Sequence, residues 1–108
     1  MTTERFEKLL DEQLELCRSV LCSKAVEYAT EDRLHNFKVA AAVQGNDPKQ
    51  ALAGMMAKHT VSVYDMCASG TDYPMELWQE KCTDHLNYLL LLMALVQEDV
   101  GGKTSACI

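Results

Sequence analysis

The stretch 88–96, YLLLLMALV, is apolar on every side of any regular structure it could form, and it follows directly on the polar segment EKCTDHLN at 80–87. No segment of the chain alternates convincingly with the period of two that marks a half-buried strand, whereas three- and four-residue apolar spacings recur throughout. The run therefore reads as helix, and a helix that is apolar all round must be covered all round. Four helical segments in a chain of 108 residues can hardly enclose it alone. Part of 88–96 is accordingly expected against a second copy of the chain, and a homodimer formed through this C-terminal helix is the commonest closed solution.

The remaining segments support an all-α fold: three long helices and one short one, completed by oligomerisation. A first helix over about 3–29 carries an apolar stripe at Phe6, Leu9, Leu10, Cys17, Val20, Leu21 and Tyr28. The polar cluster TEDR at 30–33 interrupts it, and a short helix over 33–43 can start with Asp32 as N-cap and end at Gly45. The third helix has the clearest local signal, with Asp47 as N-cap, Pro48 at the first helical position and Gln50 where a capping-box partner belongs. It runs to about Ala68. One of its faces presents Leu52, Met55, His59, Ser62, Val63 and Met66, and a smoother back at Gly54, Ala57 and Val61 suits a second helix at close approach. Pro74 opens the last helix, Glu76 favours its N-terminal dipole, and its end is expected near Asp99, before Gly101 and Gly102. The expected organisation is one helical domain over 1–100 with a flexible tail over 101–108.

Composition narrows the partners. Ten Lys and Arg against sixteen Asp and Glu leave a net charge of -6, which implies no basic face for a nucleic-acid duplex. Five cysteines without CxxC pairing, mostly in helical segments, behave as small apolar residues and fit a reducing cytoplasm. The N-terminal MTTERFEKLL lacks the pattern of a signal peptide. The longest apolar run falls far short of the ~20 residues that span a bilayer, so a cytoplasmic protein with no membrane contact is expected.

Successive helical residues turn by about 100°, which places Glu80, Asp84, Asn87 and Leu91 in one sector of the last helix. Carboxylates on a core-facing side require a positive neighbour. Two kinds are on offer. The first is Mg²⁺, a hard cation held by Glu27, Glu80 and Asp84, with Glu31 or Asp32 as further acids and Lys24, Arg33, Lys58 and Asn87 contacting the phosphates or base of a nucleotide. The second is lysine: Lys24, Lys58 and Lys81 neutralising Glu27, Glu80 and Asp84 in a buried network that fixes helix register without chemistry. Other candidates favour plain packing. Cys82 and His85 have the spacing of half a zinc site but lack a second pair, His59 reads as a hydrogen-bonded core histidine, and Tyr73 and Trp78 could stack a base but are more readily packing aromatics.

The segments KAVEYATEDRLHNFKVAA, MMAKHTVSVYDM and EKCTDHLNYLLLL, within 23–98, resemble small helical proteins of phages and prophages grouped with nucleotide-modification-associated domains. More distantly, the arrangement is similar to the all-α nucleoside triphosphate pyrophosphohydrolases, the MazG-like group, whose ExxE and ExxD pairs surround Mg²⁺. On that resemblance Glu80 and Asp84 match the acidic pair of the later helix and Glu27 one acid of the earlier. Here both pairs are spaced four apart instead of three, and Thr30 stands where a second acid would follow Glu27. The resemblance implies a Mg²⁺-dependent nucleotide-binding protein that, if active, cuts an NTP or dNTP between the α and β phosphates. The alternative is a non-enzymatic oligomeric helical module.

Overall fold

The computed structural model describes the backbone of residues 1–28 and 32–107, and the side chains of 1–23 and 32–99. Four helices follow one another: α1 (Thr3–Tyr28), α2 (His35–Gln44), α3 (Pro48–Ser69) and α4 (Met75–Cys107). The described residues contain no strand, as the absence of two-residue alternation requires. Among these elements α3 packs on both α2 and α4, while α1 seats on α4. None of the described helices is long and apolar enough to cross a membrane.

The turn chemistry explains the joints. The Asp47 side chain accepts the Gln50 amide at 2.9 Å and the Gln50 side chain accepts the Asp47 amide at 3.1 Å, a reciprocal capping box with Pro48 inside the first turn. Gly45 and Gly70 close α2 and α3 in the left-handed conformation, at φ 73° and 72°, where a Cβ would be strained. Asp32 acts one step earlier than expected. Its carboxylate accepts the Leu34 amide at 3.0 Å and its carbonyl accepts the His35 amide at 3.1 Å, so it builds the turn before α2 and the helix starts at His35.

The core sits between α2, α3 and α4. Leu34, Phe37, Leu52 and Leu95 are buried together, with Met55, Met56, Tyr88, Leu91 and Leu92 packed around them. Leu52 is fully enclosed, at 0% exposure. Across the other side of α4, α1 is anchored by a smaller contact: Gln13 donates to the buried Thr83 hydroxyl at 2.8 Å, beside the buried Cys17. Lys38 joins the turn before α2 to α4, reaching Asp32 and Glu98 at 2.6 Å each.

Two local expectations are corrected. The last helix does not stop near Asp99 but continues through Gly101 and Gly102 to Cys107; each glycine costs about 1 kcal/mol relative to alanine yet keeps its amide, so it weakens a helix without ending it. Among the described residues no helix lies against the back of α3: Gly54 has nothing within 4 Å of an added Cβ, and Ala57 and Val61 are exposed. The N-terminal part of the α1 stripe, Phe6, Leu9 and Leu10, is exposed, as are Leu89, Leu90 and Met93 on α4. One chain leaves them uncovered.

Candidate functional site

The polar row on α4 is graded in burial. Glu80 is exposed, Asp84 is half-buried, and Asn87, one turn further, is buried at 6% exposure. This corrects the expectation of a buried carboxylate stripe. Solvent reaches Glu80, which borders an open recess between α1 and the first turns of α4, so the acids keep much of their hydration. The amide of Asn87 is the group that has lost its water.

Asn87 forms part of the wall of a pocket of about 160 Å³ where α1, α2, α3 and α4 meet. Val20 and Leu21 of α1, Phe37 of α2, Met55 of α3 and Leu91 of α4 supply its apolar surface, and Arg33, Asn36, His59, Asp84, Asn87 and Tyr88 bring polar groups to it. Among the described residues neither Nδ2 nor Oδ1 of Asn87 has a hydrogen-bond partner. A buried polar atom left unpaired costs about 1–3 kcal/mol, and buried polar side chains in native proteins are nearly always satisfied. Both atoms are closed to water, so a ligand bringing a matching acceptor and donor would reach them as the side chain turns toward the pocket. The volume limits what that is. An apolar cavity of about 150 Å³ admits benzene, so this pocket accommodates one ring and leaves larger substituents outside.

His59 stands at the edge of the same pocket with its ring 4.9 Å from that of Tyr88. Burial disfavours its charged form and lowers its pKa from the ordinary 6.5, against the opposing pull of Asp84. A neutral imidazole at pH 7 can donate and accept. His85, on α4, is instead 2.9 Å from the Thr60 hydroxyl, a contact between α3 and α4. Tyr73 and Trp78 pack edge-to-face on each other at 5.9 Å, the packing role expected of them.

Asp84 lies between two recesses. Besides the ring-sized pocket it lines a shallower one formed by Leu16, Val20, Glu76, Gln79, Glu80 and Thr83. Glu80 and Asp84 therefore share a recess, with Glu76 a turn earlier, whereas Arg33 and Asn87 share the deeper pocket with Asp84. Lys58 is exposed and lines neither. Glu27, Lys24 and Glu31 lie outside the described side chains. Among the described residues, no three His, Cys, Asp or Glu side chains converge as a metal site would require. Two carboxylates, however, match the one or two that Mg²⁺ takes from protein when phosphate and water complete its shell.

The described lysines do not neutralise these acids. The ion pairs join Lys8 to Glu12, Lys38 to Asp32 and Glu98, and Lys49 to Asp99; among the described residues neither Lys58 nor Lys81 pairs with Glu80 or Asp84. No protein-family model matches the chain, and no match occurs among curated proteins or solved structures.

Asn36 and Tyr88 enter the site through folding more than through pattern. Asn36 precedes the core residue Phe37, and Tyr88 follows Asn87, so each is carried to the rim by a neighbour's packing. The signal that could have singled out Asn36 is its place just after Arg33 and before the core residue Phe37.

Proposed function

We propose that the chain is a nucleotide-binding protein whose deep pocket takes the base and whose acidic recess takes a Mg²⁺-bound phosphate group. The supporting observation is the unpartnered amide of Asn87, buried on the wall of a pocket of about 160 Å³. A primary amide offers one donor face and one acceptor face, and so do the hydrogen-bonding edges of nucleobases. The pocket's size suits a base and excludes the sugar and phosphates, which then extend toward solvent. Arg33 supplies a fixed positive charge at the pocket, and Asp84 joins it to the acidic recess.

In this reading Glu80 and Asp84 hold Mg²⁺, with Glu27 as a third ligand, and Lys24, Arg33 and Lys58 offset phosphate charge. Bound there, the ion would supply charge neutralisation on the phosphates and activation of water for cleavage between the α and β positions. The residues do the rest. Asn87 fixes the base by its edge, the neutral His59 and Tyr88 bound the ring, and the apolar wall from Val20 and Leu91 excludes water. Hydrolysis to a monophosphate and pyrophosphate is the activity this arrangement would perform.

Thermal unfolding in Mg²⁺ with a panel of NTPs and dNTPs tests the reading. At a ligand concentration about a hundredfold above Kd, stabilisation reaches about 2.7 kcal/mol, several degrees in Tm for a domain of this size. Asp84→Ala should lose the Mg²⁺-dependent part of that shift. A parent protein whose Tm ignores every nucleotide, with and without Mg²⁺, contradicts the proposal.

A further inference from the structure

We propose that the exposed apolar stripes of α1 and α4 are the two halves of one interface and that a second copy of this chain covers them. The inference stands apart from the nucleotide reading. Along α1, Phe6, Leu10, Gln13 and Cys17 follow one another at steps of four, three and four residues, which keeps them on one side of the helix. The later pair, Gln13 and Cys17, is seated against α4. The earlier pair continues the same stripe into solvent. On α4, Thr83, Leu86, Leu90 and Met93 are spaced three, four and three apart, again a single stripe. Thr83 is buried under Gln13, and the three apolar residues after it are 39% to 55% exposed.

Within the chain the two seams meet at Gln13 and Thr83, and the α1 residues before Gln13 and the α4 residues after Thr83 on these stripes stay exposed. The open part of the α1 seam has the α4 seam as its natural complement, because that is what it already packs against within the chain. A second copy supplies that complement twice: α1 of one copy meets α4 of the other, and the reverse. This is the reciprocity of a twofold interface.

The amount of uncovered surface agrees. A compact monomer of 12.1 kDa should expose about 6,000 Å², whereas this chain exposes 7879 Å². The excess of roughly 1,900 Å² is more than twice the ~800 Å² per partner that a stable protein interface buries. The radius of gyration, 16.6 Å, likewise exceeds the ~13 Å of a compact chain of this length. The exposed area is enough to supply the interface of a stable dimer.

Sedimentation equilibrium of the full chain across the micromolar range is the test, without any nucleotide so that the result does not depend on ligand binding. The expected mass is twice that of one chain, and the Tm should rise with protein concentration. Leu90→Ala, which preserves helix propensity, should weaken the dimer by at least about tenfold, and Phe6→Asp should do so more strongly. Val43→Asp, on an exposed position of α2 outside both stripes, should leave the dimer unchanged. A folded parent of single-chain mass with a concentration-independent Tm overturns the proposal, whether or not the surface binds another protein. A dimer indifferent to both Leu90→Ala and Phe6→Asp overturns the assignment of the surface.

Discussion

Asn87 concentrates the conflict between stability and binding in one side chain. Its amide is buried and unpaired in the free chain, so replacing it by an apolar residue of similar shape should relieve a penalty, whereas most core substitutions cost stability. Asn87→Leu is expected to raise unfolding stability by about 1–3 kcal/mol and to abolish the response to nucleotide, as urea denaturation and a ligand titration would show together. His59 makes a second prediction. Its folded pKa lies below its unfolded value because burial disfavours the charge, so the unfolded chain takes up the proton first. Stability from this residue is present above pH 6.5 and is lost as the pH falls through and below that value. His59→Gln should flatten that part of the pH profile, measured as Tm against pH. The position of Asn87 in line with Glu80 and Asp84 was legible from helical spacing alone. Its core-facing side was legible too; the exposure of Glu80 in the same row was not, because helical spacing does not say how far the neighbouring helices reach along α4.

Among the elements, the local rules were the most readable part of the chain. The capping box at Asp47 and Gln50 and the left-handed glycine after α2 follow from short-range chemistry that no distant contact overrides. Asp47→Ala should cost about 1 kcal/mol, seen as a lower urea midpoint with an unchanged slope. Leu52, fully enclosed between α2, α3 and α4, should cost about 2–5 kcal/mol as Leu52→Ala. Asp32 shows how a correct residue can take a different position: it was legible as a start signal, yet it bonds the Leu34 amide two residues on and moves the helix start to His35. The apolar stripe of α1 was legible as a stripe. What it meets was not, since periodicity identifies a face without saying whether its own chain is long enough to cover it.

For the molecule as a whole, the run 88–96 organises both halves of the account. Its core side, Tyr88, Leu91, Leu92 and Leu95, closes the α2, α3 and α4 core, and its far side, Leu89, Leu90 and Met93, remains exposed. The all-helical class was readable from the spacing, and within one chain Leu89, Leu90 and Met93 of the run are exposed. The acidic half has a different meaning from the one its pattern implied. Glu80 and Asp84 open to a recess, and the described lysines leave them unpaired, so the polar group held against the interior is an amide. The most direct measurement is therefore a nitrogen-proton spectrum of the Asn87 side-chain amide, assigned by its loss in Asn87→Leu, during titration with nucleotides and Mg²⁺. A saturable movement of that resonance pair with at least one nucleotide is the predicted result. An amide pair that stays fixed across the whole panel, while the protein remains folded, would contradict a base-binding pocket.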